Sequence, residues 1–218
     1  MHARDIPKVI KILKQVNASF TIPAVTQISN KSRSPFMVLI SCILSLRTKD
    51  STTAGASKRL FDLATTPKTM MNLPLRTIEK AIYPVGFYRN KAKVIKNICK
   101  QLVEEYHSKT PDIIDELLKF KGVGRKTANL VVTIGYGKPG ICVDTHVHRI
   151  TNRWGYVKTK TPEETEFALR KKLLKRYWII INDLLVTFGQ NICKPISPLC
   201  SKCRLYQYCD RVGVVKSR

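Results

Sequence analysis

The stretch Leu118-Lys119-Phe120-Lys121-Gly122-Val123-Gly124-Arg125-Lys126-Thr127-Ala128-Asn129 carries the decisive pattern of this chain. Two glycines two apart, Gly122 and Gly124, let the backbone turn sharply and approach a ligand closely. Before them, a short helix containing Leu117 and Leu118 is expected to start at Thr110-Pro111. After them, the pattern from Arg125 to Ile134 resumes as a helix, and Gly135-Tyr136-Gly137 stops it. A helix that begins directly behind such a turn points its first N–H groups outward and carries the positive end of its dipole there. Gly122, Val123, Gly124, Arg125 and Thr127 therefore form a candidate phosphate-binding edge. A nucleotide-binding P-loop does not fit, because four residues should separate its first glycine from Gly-Lys-Ser/Thr and a strand should precede it.

Outward from the hairpin, helix signals dominate and few runs alternate as strands do. Ser34 is a candidate N-cap with Pro35 at the first helical position. The nearly all-apolar run Phe36 to Leu46 then predicts a buried central helix, although its Val, Ile and Cys content also suits a strand. Asn72-Leu73-Pro74 and Asn90-Lys91 open two more helices. The second runs towards Tyr106 with Val94, Ile98, Leu102 and Val103 on one face. Thr161-Pro162-Glu163-Glu164 reads as a capping box, predicting a helix to about Tyr177 and another over Ile179 to Gly189. No internal repeat, low-complexity tract or Gly/Ser linker interrupts the 218 residues.

Lys and Arg number 39 against 15 Asp and Glu, a formal charge of +24. Such a field attracts polyanions and disfavours self-association, so nucleic acid is the expected partner and a monomer the expected state. No stretch of about 18 residues is free of charge and apolar enough to span a bilayer. The start, Met1 to Lys8, lacks the apolar core of a secretory signal. An intracellular chain is expected, cytoplasmic and associated with the nucleoid. In a reducing compartment the seven cysteines are not read as disulfides. Cys42, Cys99 and Cys142 lie among apolar residues as small buried hydrophobes.

Three groups carry chemistry. Lys126 lies in the first helical turn beside Arg125, where dipole and neighbouring charge favour a neutral amine able to act as a nucleophile. The plain alternative is a solvated lysine that contacts phosphate. Asp144, within Val143-Asp144-Thr145-His146-Val147-His148-Arg149, precedes a helical pattern as an N-cap. It is also a candidate carboxylate for stabilising positive charge, which would raise the lysine pKa unless burial opposes it. His146 and His148 do not share a helix face and make a poor metal pair, so His146 is read as packing beside the site or contacting nucleic acid. Finally, Cys193, Cys200, Cys203 and Cys209 follow the spacing C-x6-C-x2-C-x5-C. Four thiols so close together imply a metal, and both zinc and a 4Fe–4S cluster accept them. Their loops would present Lys194 and Lys202 to phosphate.

Gly122-Val123-Gly124-Arg125-Lys126-Thr127-Ala128 resembles the helix–hairpin–helix of DNA glycosylases. With Val143-Asp144-Thr145-His146 and the cysteine spacing, the chain from about Ser34 to Cys209 resembles the endonuclease III family. The resemblance implies an all-α, two-domain fold. Residues 23–135 would form a six-helix barrel, and 1–22 with 136–218 an iron–sulfur domain. It implies that Lys126 is the Schiff-base lysine and Asp144 the catalytic aspartate of a bifunctional DNA glycosylase and AP lyase. Oxidised pyrimidines would be removed and the strand cut 3′ to the abasic site by β-elimination. The cofactor implied is a 4Fe–4S cluster rather than zinc, and the partner double-stranded DNA with damaged bases or abasic sites, with no membrane.

Two loops depart from the family pattern. Leu46 and Arg47 stand where many members place a glutamine, and Phe87 stands where relatives put an apolar wedge. These departures leave lesion and opposite-base preference open. One rival reading is a thymine or uracil mismatch glycosylase of the same superfamily. Another is a non-catalytic iron–sulfur protein that binds DNA or senses redox state.

Overall fold

A helix that is apolar all round has no solvent face to offer and must be surrounded. In the computed structural model, which describes residues 1–32 and 34–218, that helix is Pro35–Ser45. Regular structure among the described residues is helical throughout. In chain order the α-helices are α1 (Ile6–Asn17), α2 (Ala24–Ser32), α3 (Pro35–Ser45), α4 (Asp50–Leu63), α5 (Pro67–Asn72) and α6 (Leu75–Ile82). They continue with α7 (Tyr88–Glu105), α8 (Ile114–Leu118), α9 (Arg125–Leu130), α10 (Thr145–Arg153), α11 (Pro162–Lys172) and α12 (Ile180–Asn191). No described helix is long and apolar enough to cross a membrane. The chain divides into two compact units, residues 24–138 and residues 1–23 with 139–218.

The unit 24–138 is built around α3. Ser34 caps it, its Oγ accepting from Met37 N–H at 3.3 Å, and Pro35 occupies the first turn, as the sequence predicts. Phe36, Val38, Leu39, Ile40, Ile43 and Leu44 are all buried. Packed on α3 are α2, α4, α7 and α9, together with a π-helical turn over Val131–Gly135. Gly135 lets that turn approach α3 closely, since a Cβ would lie 3.1 Å from the Pro35 Cα.

Three expectations in this unit shift. The helix that was to open at Asn90-Lys91 starts at Tyr88, because Phe87 takes a left-handed conformation (φ 59°) and serves as N-cap. Its buried stripe is Ala92, Ile95, Ile98, Cys99 and Leu102, while Val94 and Val103 are half-buried. The helix expected from Thr110-Pro111 begins only at Ile114. The Tyr136 hydroxyl donates to Thr110 O, and Lys138 pairs with Asp112 at 2.6 Å, holding that segment out of the helix. The run Arg125 to Ile134 is helical, but α9 gives way to the π turn after Leu130, where Tyr136 N–H reaches back to Val131 O at 3.2 Å. Wider turns of this kind recur at functional sites.

The other unit gathers α1, α10, α11 and α12 over a core that includes Val9, Leu13, Ile150, Trp154, Leu185 and Phe188. Thr161 caps α11, its hydroxyl accepting from Glu164 N–H at 3.1 Å. Glu164 completes only half of the expected box, since its carboxylate accepts from Lys160 N–H at 2.8 Å. The helix ends at Lys172 and does not run to Tyr177. Trp178 Nε1–H donates to Leu173 O at 2.8 Å and Tyr156 hydroxyl to Lys172 O at 3.0 Å, so side chains take the carbonyls that a longer helix would use. Short 3-10 turns cover Lys175–Tyr177, Cys200–Lys202 and Tyr206–Tyr208. The expected burial of Cys42, Cys99 and Cys142 is observed, and burial pushes the Cys42 and Cys99 thiols up to about 12.

Because α3 is enclosed on all sides, a truncation there leaves a cavity that neighbours cannot fill. Leu39→Ala is expected to cost about 2–5 kcal/mol in urea denaturation. A loss below about 1 kcal/mol would show that α3 is not the centre of its unit.

Candidate active site and cysteine centre

The hairpin is anchored by apolar residues on either side of its tip. Phe120 and Val123 are buried, and Val123 N–H donates to Phe120 O at 3.0 Å. The Phe120 ring lies 5.3 Å from that of Tyr106. Between the anchors, Gly122 adopts φ +89°, and a Cβ there would sit 3.1 Å from Val94 Cγ1. Gly124 differs, for its φ of −102° suits any residue and a Cβ would meet nothing within 4 Å. Gly122 makes the turn; Gly124 keeps open the space in front of α9. The helix proper begins with Ala128 N–H to Gly124 O at 3.0 Å, so the N–H groups of Arg125, Lys126 and Thr127 stand ahead of the first intrahelical bond.

Lys126 is exposed in this first turn, with Arg125 half-buried and Thr127 buried beside it. Thr127 can therefore address an anion only through its backbone. Burial within the chain, which the sequence left open, does not enclose Lys126. Below it lies Cys42 of α3, whose thiol feels the Lys126 charge.

In the same unit, the structure brings together the two loops marked by the sequence. Arg47 (φ 52°) and Phe87 (φ 59°) are both non-glycine residues in the left-handed region, a conformation costing about 1–2 kcal/mol each. Phe87 is 63 % exposed and Leu46 37 %. The Arg47 guanidinium stands 5.9 Å from the centre of the Phe87 ring. The two strained residues thus present their exposed side chains along one edge of the unit. Lys91, which the sequence offered only as a helix opener, is buried beneath this edge. A lysine at that position in an amphipathic helix gives no sequence signal of burial.

Asp144 caps α10 as expected, one carboxylate oxygen accepting from His146 N–H and Val147 N–H, each at 2.9 Å. It is 8 % exposed. His146 is half-buried, with Arg149 Nη2 3.1 Å from its Nδ1, and a Cβ on Gly189 would come within 2.4 Å of the same nitrogen. His148 turns to Thr165, 2.7 Å away.

Cys193, Cys200, Cys203 and Cys209 line a single small cavity with Arg153 and Arg211. Among the described residues, no three His, Cys, Asp or Glu side chains close around a single ion. Burial pushes the Cys203 thiol up to about 11 and raises that of Cys209. Backbone N–H groups of Leu205 and Arg211 hydrogen-bond these two sulfurs and favour their thiolates. Two arginines one turn apart on α10, which sequence reasoning missed, hold the loop. Arg149 donates to Cys193 O at 2.8 Å. Arg153 donates to Lys194 O and Pro195 O, each at 2.7 Å, and approaches Cys193 Sγ at 3.4 Å. Their i, i+4 spacing was the available signal. Lys194 is half-buried and Lys202 exposed. Four thiols, sulfur-directed N–H donors and adjacent cations fit a thiolate-ligated metal group.

An all-helical chain with a lysine seated behind a glycine hairpin and four thiols around one cavity defines a helix–hairpin–helix DNA-repair protein. Residues 40–175 match the HhH-GPD superfamily base excision DNA repair protein model. The chain is 50 % identical over 182 residues to endonuclease III of Thermotoga maritima, covering 84 % of this chain and 85 % of the relative. It is 38 % identical over 189 residues to that of Bacillus subtilis, covering 84 % and 86 %. It spans 47 % of a longer chloroplastic homolog from Arabidopsis thaliana. A trapped endonuclease III–DNA covalent intermediate aligns with a TM-score of 0.84 at 34 % identity, covering 97 % of both chains. A thermostable thymine-DNA glycosylase shares the fold, with a TM-score of 0.74 at 22 % identity over 93 % of this chain and 97 % of that one. This chain belongs to the endonuclease III family of the HhH-GPD superfamily, the DNA glycosylase/AP lyases of base excision repair.

The two glycines are separable by experiment. Gly122→Ala should destabilise the fold by about 1–3 kcal/mol, through its left-handed φ and the Val94 contact. Gly124→Ala should leave stability within about 0.5 kcal/mol yet weaken DNA binding at least several-fold. Unchanged binding by a folded Gly124→Ala variant would show that DNA does not approach the hairpin there.

Proposed function

We propose that this protein removes oxidised pyrimidines from double-stranded DNA through a Schiff base on Lys126 and cuts the strand 3′ to the resulting abasic site. The observation that carries this reading is the seating of Lys126 in the first turn of α9, directly behind the open space at Gly124. A damaged nucleotide must leave the stack to reach such a group. The Nζ lone pair attacks C1′, the glycosidic bond breaks towards the base, and the base departs with a proton. Opening of the sugar ring gives a protonated imine. Loss of a C2′ proton then expels the 3′ oxygen, and water releases the lysine. The N-terminal end of the helix and the Arg125 guanidinium flank the amine, and bound DNA, rather than the chain, excludes water from this exposed lysine. Asp144, oriented by hydrogen bonds from His146 N–H and Val147 N–H, is proposed to stabilise the positive charge that develops on the sugar.

The remaining site residues are proposed to hold DNA. Gly122, Val123, Gly124, Arg125 and the Thr127 backbone take phosphate. Leu46, Arg47 and Phe87 occupy the gap and stack, and His146, Lys194 and Lys202 contact the backbone. The unit 24–138, whose eight described α-helices include the hairpin pair α8 and α9, would contain the six-helix barrel, and the other unit would be the cluster-bearing domain of a monomer. Cys193, Cys200, Cys203 and Cys209, which line one cavity, would hold the 4Fe–4S cluster that the family implies. When bound, the cluster cross-links the C-terminal loops and supplies no chemistry to base removal.

Lys126→Ala should lose strand cleavage on a thymine-glycol duplex, and Asp144→Asn should retain binding while turnover falls about 10²–10⁴-fold. Normal turnover by Asp144→Asn would reduce Asp144 to a helix cap. Release of thymine from G·T mismatches without action on thymine glycol would replace the oxidised-pyrimidine assignment. For the cofactor, the purified protein should be brown, absorbing at about 400 nm as thiolate-bound iron does. A colourless protein loaded with zinc would contradict the cluster.

A further inference from the structure

Lys91 is 7 % exposed, yet its ammonium has found three oxygens. It donates to Leu44 O at 2.9 Å, to Leu46 O at 2.5 Å and to Thr48 Oγ1 at 3.1 Å. Three donors meet three acceptors, so the group is fully used. Two of the acceptors are carbonyls at the C-terminal end of α3, where the helix dipole favours a cation. Burial lowers its pKa from the usual 10.5 to about 8, which still leaves it charged at neutral pH. The backbone of the same residue reaches the other loop, for Lys91 N–H donates to Phe87 O at 3.0 Å and closes the first turn of α7. From the opposite side Gly86 presses on the same segment, and a Cβ there would lie 2.9 Å from Arg47 O. Thr48 hydroxyl also donates to Leu46 O at 3.2 Å.

A surface lysine does none of this, and a lysine needed only for packing would be cheaper as methionine or leucine. What the buried cation accomplishes is local. It satisfies the end of α3 and holds Arg47 in a left-handed turn opposite an equally strained Phe87. We propose that Lys91 is a positioning residue that locks the Leu46–Thr48 loop to the Phe87 turn, so that their exposed side chains enter the DNA stack as one rigid wedge. This inference rests on the proposed DNA-facing role of the two loops. Lys91 touches neither DNA nor Lys126. Its loss should impair extrusion of the damaged nucleotide and spare the chemistry on a nucleotide that is already unstacked.

The test uses the full-length purified protein and two DNA probes. One is a duplex carrying a tetrahydrofuran abasic analogue opposite 2-aminopurine, whose fluorescence rises on unstacking. The other is a single-stranded oligonucleotide with a natural abasic site. Lys91→Met should cleave the single strand within about twofold of wild type. It should lose most of the fluorescence rise and turn over a thymine-glycol duplex roughly tenfold more slowly, the scale expected of misplaced groups. Gly86→Ala displaces the Arg47 carbonyl without touching the ammonium, so it should show the same split, and it decides the matter if Lys91→Met does not fold. A folded variant with wild-type fluorescence and duplex turnover overturns the proposal. So does a proportional loss on both probes, which would mark a merely structural lysine. If wild type itself fails to cleave the single strand, the Schiff-base reading has failed, and that outcome is distinct from either result with the variants.

Discussion

The left-handed backbone at Gly122 is the constraint on which the hairpin depends. Phe120 and Val123 are both committed to the core, three residues apart, and the chain can reverse between them only through a residue that tolerates φ +89°. With that reversal fixed, the direction in which α9 leaves the turn is fixed too, and with it the position of Lys126. The side chain proposed to carry the chemistry is thus oriented by two buried apolar residues and a glycine. Gly124 adds emptiness rather than geometry, a gap in front of the helix start that a phosphate can fill.

A second theme follows from the charge. With 39 cations against 15 acids, carboxylates cannot partner every lysine and arginine that folding draws inward. Arg170 pairs with the buried Glu166 at 2.8 Å, but several others take backbone carbonyls instead. Lys91 binds the end of α3 and the half-buried Lys96 donates to Leu73 O at 2.8 Å, and the exposed Arg59 donates likewise to Ala81 O at 2.8 Å. Arg149 and Arg153 hold the cysteine loop in the same way. Charge-assisted bonds to carbonyls at helix ends are among the stronger neutral-partner interactions. They stiffen loops while leaving the surface field positive for DNA.

Much of this was legible in the sequence because caps and turns are local. Ser34-Pro35, Thr161-Pro162, Asp144 and the turn at Gly122 act over three or four residues, and each cap and the reversal form where the sequence predicts them. What escaped depends on distant partners. The break after Lys172 is set by Trp178 and Tyr156, and the late start of α8 by Tyr136 and Lys138. The π turn at Val131 was hidden because an all-apolar run looks alike at either period. The burial of Lys91 was invisible, since in sequence it is one lysine among many near a helix start. The exposure of Lys126 has no sequence signal for a related reason. A nucleophile that meets a macromolecule can leave desolvation to its substrate, and the chain alone carries no trace of that.

The central claim is that the amine of Lys126 becomes covalently joined to the sugar of the damaged nucleotide. The most direct measurement is to reduce the intermediate with borohydride on a thymine-glycol duplex, digest the adduct, and map the modified peptide by mass spectrometry. The account predicts that the nucleotide remnant resides on the peptide containing Lys126, attached at that side chain. A remnant attached to any other lysine, or to the N-terminal amine, would contradict it.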